Sequence, residues 1–461
     1  MKRFTLGLTL GMSLLAGCGE DPVTPPPGNT STGSAVEVSE VITQDTTWTA
    51  DKVYTLKKYI FVEGGTLTIE PGTQVRGEDG SALIVTKNAR LDAAGTRERP
   101  IVFTSAAAVG ERAAGDWGGV VLLGRARINS SGGVAAIEGF LSNSTDERVR
   151  YGGTDDTHDC GTLTFARIEF AGYQLAQDNE LNGLTTGGCG SRTRIDYVQV
   201  HKGADDGVEM FGGTANLQHI VITQADDDGL DYDLGYSGKV QFLVVQQNST
   251  VGNRGIEASG NKSDNSASPR SVPEIWNASF IGSKRAPGAS GTKQEGLVFN
   301  TGAGVKLRNA VVAWFADQAV DVDGRASVAL FEAGDLSIST TYFYGNKGDT
   351  TTLPYAPNPV KDSAGNTTQA DSSLLAHGGV FREPDQFLAA ALRNHASVDP
   401  QIPGALDLKA PDFTPAAGSP LLAAENAAVP PADGFFDASA QFVGAVGKDN
   451  WLAGWTAFPE N

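Results

Sequence analysis

The sequence predicts an all-β protein built as a right-handed parallel β-helix, a solenoid of stacked coils. Three observations support this fold class. Glycine is abundant and methionine scarce, with 57 and three among 461 residues. The apolar runs are only three or four residues long, and two short strand patterns recur in phase along the middle of the chain. Helical periodicity is almost absent, which argues against a mainly helical fold.

Residues 1–17 have the features of a lipoprotein signal peptide. Lys2 and Arg3 precede an apolar run over residues 4–15, which is too short to span a bilayer. Residues 15–18, with the sequence LAGC, resemble the lipobox of bacterial lipoproteins. The resemblance implies that Cys18 carries a lipid and becomes the first residue of the mature protein. The alternative is an ordinary cleavable signal with an incidental cysteine.

Residues 18–35 form the expected lipidated tether, because they are rich in Pro, Ser, Thr and Gly and lack apolar periodicity. The residue after Cys18 is Gly19 rather than an aspartate. By resemblance to sorted lipoproteins, this implies an outer-membrane lipoprotein of the cell envelope, exposed at the cell surface. The membrane is then a partner through the lipid anchor. A formal net charge of −19 argues against nucleic acid as a partner.

Residues 36–339 contain the repeat that predicts the β-helix. One strand pattern recurs at residues 168–170, 198–200, 220–222, 243–245, 278–280 and 310–312. A second recurs at residues 183–184, 207–208, 229–230, 255–256, 296–297 and 319–320. Two patterns that advance together indicate that each repeat is one coil of about 22 residues. A single coil cannot bury its apolar side alone, so stacked parallel coils with right-handed crossovers are expected.

The C-terminal third departs from this repeat. Residues 340–403 are predicted to be an irregular excursion with one short surface helix near residues 384–393, where Pro384 suits a first helical turn. Residues 404–461 are predicted to form the last coil and a C-terminal cap. Trp451, Trp455 and Phe458 are spaced by four and three residues, as on one face of a short helix. We expect them to cover the open end of the solenoid rather than to form a binding site.

Two cysteines remain when Cys18 carries lipid. Cys160 and Cys189 form an even pair in an exported protein, which predicts a disulfide because thiols are not kept reduced outside the cytoplasm. The alternative is two buried free thiols.

Four segments resemble a broad group of bacterial surface or secreted proteins with pectate-lyase-like β-helices. They are residues 65–73 (GTLTIEPGT), 100–105 (PIVFTS), 116–120 (DWGGV) and 411–420 (PDFTPAAGSP). The resemblance covers about residue 36 to the C-terminus. It implies the fold more strongly than an activity, since this fold occurs in lyases, hydrolases and adhesins.

A polar residue stands before each second strand, at Asn182, Asp206, Asp228, Arg254, Glu295 and Gln318. Stacked coils would place these side chains in a file about 4.8 Å apart, with Glu209 and Asp231 pointing outward beside it. Stacked carboxylates need a counter-charge. One alternative is a fully solvated file with a salt link from Arg254, and the other is a bound Ca²⁺. Asp206, Asp228, Glu209 and Asp231 are therefore the candidate metal ligands.

Pectate-lyase-like enzymes use carboxylate-bound Ca²⁺ together with a Lys or Arg base, and the resemblance makes Lys202 and Arg254 the candidate bases. The Gly-His-Gly and Arg-x-Lys motifs of related hydrolases are absent from the sequence. We therefore expect a non-catalytic cell-surface lipoprotein. Its acidic β-helix face would bind carbohydrate or an outer-membrane protein partner, with Ca²⁺ as the candidate cofactor. The alternative is a calcium-dependent uronate lyase.

Overall fold

The computed structural model describes residues 33–176, 179–286, 293–348 and 353–461. The predicted signal peptide, Cys18 and nearly all of the predicted tether lie outside the described residues. Within the described ranges, no helix combines the length and hydropathy needed to cross a membrane.

The described chain is built from short strands. The first are β1 Ser34–Val38, β2 Thr46–Trp48, β3 Lys52–Leu56, β4 Tyr59–Val62, β5 Gly65–Ile69, β6 Gln74–Gly77, β7 Ala82–Val85, β8 Ala89–Ala94, β9 Ile101–Ser105, β10 Val120–Leu123, β11 Ala135–Ala136 and β12 Arg150–Tyr151. The central ones are β13 Gly161–Glu169, β14 Gln174–Ala176, β15 Asn179–Glu180, β16 Leu184–Gly187, β17 Arg194–His201, β18 Val208–Phe211, β19 Asn216–Thr223, β20 Leu230–Asp233, β21 Lys239–Gln246, β22 Arg254–Ala258, β23 Glu274–Ile281, β24 Glu295–Phe299, β25 Lys306–Ala313 and β26 Val320–Val322.

The remaining elements lie nearer the C-terminus. The strands are β27 Ser337–Ser339, β28 Tyr342–Tyr344, β29 Val360–Lys361, β30 Thr367–Gln369 and β31 His395–Ala396, and the α-helices are α1 Gly324–Ala333 and α2 Glu383–Phe387. Short 3₁₀ turns lie at Ser131–Gly133, Glu147–Val149, Ala390–Leu392, Pro420–Leu422 and Ala424–Asn426. Helix α1 falls inside the region that the sequence assigned to coils, and it was not predicted.

The central strands stack as three parallel ladders, which confirms the predicted parallel β-helix. Each long strand from β13 to β25 bends near its middle, so its first half belongs to ladder 1 and its second half to ladder 2. The bend is a left-handed residue, as at Tyr197, His219 and Phe242 with φ of 56°, 51° and 61°. The short strands β16, β18, β20, β22, β24 and β26 form ladder 3.

The register agrees with the sequence repeat except at one strand. The second pattern is confirmed throughout, for example Leu184 opposite Val208 and Val208 opposite Leu230. In the first pattern Val198 is paired with Ala166, whereas the prediction placed Ile168 there. A shift of two residues keeps the same side chains facing inward, so the apolar pattern alone does not detect it.

The predicted C-terminal cap is wrong in position. Residues 404–461 lie along the outer face of ladder 2, and Trp451 and Trp455 lie in a turn rather than a helix. Strand residues Val221, Val244 and Val311 pack there against an apolar set contributed by the tail, namely Phe413, Leu421, Val443, Leu452 and Trp455. The physical reason is that ladder 2 has an apolar outer side as well as an apolar inner side. The tail, not another strand, buries it.

Amide side chains of successive coils hold this tail by hydrogen bonds to its backbone. Gln199 donates to the carbonyl of Ala457 at 2.7 Å and accepts from its amide at 3.0 Å. The same role falls to Gln218, Gln224, Gln241, Gln246, Asn277 and Asn309. Backbone groups of a segment without regular structure are thereby satisfied.

The last coil is covered by residues that were predicted to form a surface excursion. Helix α2 has five residues rather than the predicted ten, and it contacts β26, the terminal strand of ladder 3. Phe331 of α1 meets Phe381 and Phe387 edge to face at 5.0 and 5.6 Å between ring centroids. Phe381 and Phe387 are fully buried and belong to the solenoid core. Packing of these rings explains why this segment is not a surface helix.

Candidate functional site

The turn that joins ladder 2 to ladder 3 contains the predicted file of polar residues. The amide of Asp206 donates to Asn182 Oδ1 at 3.2 Å, and the amide of Asp228 donates to Asp206 Oδ1 at 2.9 Å. The amide of Arg254 donates to Asp228 Oδ1 at 2.6 Å. Each side chain thus accepts a hydrogen bond from the backbone of the next coil. The file is confirmed, and it is buried: Asp206 is 7% exposed and Asp228 is 1% exposed.

Three of the four candidate metal ligands come together. Asp206, Glu209 and Asp231 each place a carboxylate oxygen within 4.8 Å of the other two. Asp205, Asp206 and Asp227 form a second group by the same measure, so Asp206 belongs to both. We call these five residues the acidic site. All ligand atoms in both groups are oxygen.

Asp228 does not join either group. Its carboxylate accepts the Arg254 amide and lies 3.3 Å from Arg254 Nη1. Arg254 also lies 3.1 Å from Glu257 and 3.8 Å from Glu295. The salt link that the sequence offered as an alternative is therefore present, but it pairs with Asp228. Among the described residues, no Lys or Arg forms an ion pair with a carboxylate of the acidic site.

Buried oxygen atoms without hydrogen-bond donors lie beside the acidic site. Thr185, Glu209 and Asp231 are neighbours in register on the outer face of ladder 3. Thr185 is 1% exposed, and its Oγ1 has no hydrogen-bond partner among the described residues. Asp231 is partly exposed as a residue, yet its Oδ1 is buried and also lacks a partner there. Unsatisfied buried oxygens are costly, and a bound cation would satisfy them.

Burial and mutual repulsion oppose ionisation of this site. The pKa values of Asp206, Glu209 and Asp231 are raised well above their ordinary range, first by burial and then by neighbouring carboxylates. The pKa of Asp205 is raised to about 8 by burial, Glu138 and Asp227. A divalent cation among these groups would favour their charged forms.

Sequence reasoning missed Glu138 and Thr185. Glu138 raises the pKa of Glu209, so its carboxylate lies near the acidic site. It comes from the segment between β11 and β12, where no repeat predicts its position. Thr185 was detectable, because Leu184 and Thr185 align with Val208 and Glu209 in the second strand pattern.

The two candidate bases are both engaged. Burial lowers the pKa of Arg254, but Asp228, Glu257 and Glu295 outweigh that effect and raise the pKa above its ordinary value. Lys202 Nζ donates to the backbone carbonyl of Glu460 in the tail. Burial lowers the pKa of Lys202, with Glu460 and Asp226 opposing it.

Cys160 and Cys189 form the predicted disulfide, with their Cα atoms 5.8 Å apart. Cys160 directly precedes β13, and Cys189 is the second residue after β16. Both are buried in the solenoid core. The bond therefore links ladders 1 and 3 near the segment that contains Glu138.

A family model described as a pectate-lyase like beta helix domain matches residues 40–378. The chain belongs to this family. The match includes the central ladders and the acidic site, and it ends before residues 404–461. Neither the curated proteins nor the solved structures gave a significant match. Membership of the pectate-lyase-like β-helix family confirms the β-helix part of the resemblance, over residues 40–378.

Proposed function

We propose that this pectate-lyase-like β-helix is a non-catalytic lipoprotein of the cell envelope that binds Ca²⁺ at its acidic site and carbohydrate beside it. The observation that carries the proposal is the convergence of Asp206, Glu209 and Asp231 within 4.8 Å. None of the three forms an ion pair with Lys or Arg in the described ranges.

The ligand atoms favour a hard cation. Calcium binds six to eight oxygen ligands from carboxylates, carbonyls, hydroxyls and water in flexible geometry. Both groups of the acidic site consist of carboxylates, without histidine or cysteine. Zinc, copper and nickel commonly bind through those nitrogen and sulfur ligands. Glu209 has one oxygen already engaged by Asn182 Nδ2, so it would offer the other.

Carbohydrate is the proposed ligand because a partly coordinated Ca²⁺ accepts hydroxyl or carboxylate oxygens from a sugar. An outer-membrane protein is the alternative partner. The lipid anchor at Cys18 rests on the lipobox resemblance, and it would hold the β-helix at the membrane through residues 18–35.

The state of the two candidate bases favours binding over catalysis. A general base must reach the substrate proton in its unprotonated form. The three carboxylates around Arg254 stabilise its charged form, and Lys202 is hydrogen-bonded to the tail. Arg254 therefore does not suit a lyase base. Burial lowers the pKa of Lys202, but its Nζ is engaged by the tail rather than free to meet a substrate.

The test compares binding with turnover on the same preparation. We expect Ca²⁺ to raise the melting temperature of the wild-type protein. The Asp206→Asn variant should lose that rise, while Asp226→Asn, an exposed acid outside both carboxylate groups, should keep it. Polygalacturonate and alginate should yield no unsaturated product by ultraviolet absorbance. Calcium-dependent product that disappears in Lys202→Ala or Arg254→Ala would instead establish the lyase.

A further inference from the structure

A surface groove lies between the loop that follows β22 and helix α1. Its volume is about 820 Å³. One side is basic, with Lys262 and Arg270 from the loop and Arg325 from the first turn of α1. The floor is Ala326, Ala329 and Leu330, which lie on one face of the helix. The groove therefore combines a cationic side with a small, apolar base.

This charge is unusual for the chain, whose formal net charge is −19. Neither Lys262 nor Arg270 forms an ion pair with a carboxylate in the part of the chain that the structure describes. Arg270 Nη1 donates to the carbonyl of Asn265, and this contact fixes its guanidinium in the groove. Arg325 Nη2 lies 2.6 Å from Glu332. Two of the three cations thus retain N–H donors for an external anion.

Asp264, the acid among the lining residues, offsets only part of the basic charge, although Arg270 is among the groups that lower its pKa. Asp264 Oδ1 accepts the amide of Ser266 at 2.9 Å and its hydroxyl at 2.6 Å. These bonds turn that oxygen towards its own loop. Among the lining residues, Lys262, Arg270 and Arg325 therefore outweigh Asp264 in charge.

The groove also borders the region of the acidic site. Lys262 favours the charged forms of Glu138 and Asp233, so its ammonium group lies within electrostatic reach of both. Glu138 in turn acts on Glu209 of the acidic site. A ligand that spans this surface would meet carboxylates at one end and basic groups at the other.

We propose that this groove binds an oxyanion carried by a carbohydrate, with the anionic group between Lys262, Arg270 and Arg325 and a sugar ring over Ala326 and Ala329. Guanidinium and ammonium groups recognise sulfate, phosphate and carboxylate by charge-assisted hydrogen bonds. The apolar floor suits the C–H face of a pyranose ring. The inference rests on the proposed function in one respect, that the ligand of this surface is a carbohydrate.

The experiment measures binding by calorimetry at low salt, with Ca²⁺ and separately with chelator. The probes are dextran sulfate and polygalacturonate fragments, with neutral dextran of matched length as the uncharged comparison. Wild-type protein should bind at least one anionic probe at least tenfold more tightly than dextran. The Lys262→Ala/Arg270→Ala variant should lose that difference, and Lys262→Glu should do so as a single change. Lys361→Ala, an exposed lysine on β29 outside the groove, should bind like wild type.

The outcomes separate this inference from the calcium proposal. Binding in chelator that survives Asp206→Asn but not Lys262→Ala/Arg270→Ala supports the groove, even if no response to Ca²⁺ is found. Equal binding of charged and neutral probes, no binding of any probe, or undiminished binding by Lys262→Ala/Arg270→Ala would overturn it. Whichever anionic probe binds more tightly identifies sulfate or carboxylate as the preferred group.

Discussion

Glycine at the turn between ladders 2 and 3 allows the coils to stack closely. A Cβ at Gly207 would collide with Ile222 of ladder 2, and one at Gly229 would collide with Val245. The aspartate before each of these glycines accepts a hydrogen bond from a backbone amide of the next coil. Both Asp-Gly pairs therefore serve the fold, and Asp206 serves the acidic site as well.

Gly229→Ala should destabilise the protein. The added methyl group meets Val245 Cγ1 and lies 2.7 Å from the carbonyl oxygen of Gly255, so strands of adjacent coils must shift. We expect a loss of roughly 1–3 kcal/mol, as for overpacking in a core. Gly418→Ala is the matched control, because its added Cβ has nothing within 4 Å. Denaturant unfolding that gives equal midpoints for the two variants would contradict this role for Gly229.

His201 should make the folded state sensitive to acid. Its Nε2 donates to the carbonyl of Pro459 at 2.9 Å, its Nδ1 pairs with the Thr223 hydroxyl at 2.8 Å, and burial lowers its pKa to about 4. The unfolded chain binds a proton near the ordinary pKa of 6.5. The folded chain does so only near 4. The contribution of neutral His201 to the free energy of unfolding is therefore fully present above pH 6.5. It is lost as the pH falls towards 4.

The test for His201 is the pH dependence of unfolding. His201→Gln keeps an amide donor for Pro459 but cannot titrate. Between pH 7 and 4.5 the wild type should lose roughly 2–3 kcal/mol more than this variant. Parallel curves for the two proteins would show that His201 does not titrate as its burial implies.

At the scale of elements, the ladders could be predicted and the tail could not. Short strands that recur in phase identify stacked coils, because each coil must bury the same inward positions. The tail has no period, and its position depends on outward residues of distant coils, such as Gln199 and Asn309. Helix α1 was missed because its ten residues follow the last strand of the repeat, in a region assigned to coils.

Trp455 should be important for holding the tail on ladder 2. It is fully buried, and its ring lies 5.9 Å from those of Phe165 and Tyr197. Trp455→Ala should cost roughly 3–5 kcal/mol, whereas Val429→Ala, at a tail residue 62% exposed, should cost little. Hydrogen exchange should rise in β17 and β19. A rise confined to α1 and β28 would support the end cap that the sequence suggested.

The acidic site was predicted in part. Asp206, Glu209 and Asp231 followed from the repeat, since stacking alone places them together. The Asp228 carboxylate instead accepts a hydrogen bond from Arg254. Residue spacing does not specify which partner a side chain will contact. Glu138 approaches from outside the repeat, so only the folded chain reveals it.

At the scale of the whole molecule, the β-helix has two differently used sides. The tail covers the outer face of ladder 2, while ladder 3 presents the acidic site beside the basic groove. The molecule is thus closed on one side and has its candidate binding groups on another. Attachment at residue 18 would leave the family domain, residues 40–378, outside the bilayer.

Lipidation should decide where this molecule is found in the cell. We expect wild-type protein in the membrane fraction and Cys18→Ala protein released from it, because the proposed lipid anchor is attached at that one residue. Cys160→Ala/Cys189→Ala is a useful comparison, since it removes thiols that do not carry lipid. If Cys18→Ala protein sediments with membranes as the wild type does, the anchor lies elsewhere.

The most direct test of the acidic site is isothermal calorimetry. Purified protein is first treated with chelator and is then titrated with Ca²⁺. We predict saturable binding of at least one Ca²⁺ per chain. The affinity should fall at least tenfold in Asp206→Asn and remain unchanged in Asp226→Asn. No saturable heat in the wild type, or equal affinity in Asp206→Asn, would show that these carboxylates are not a calcium site.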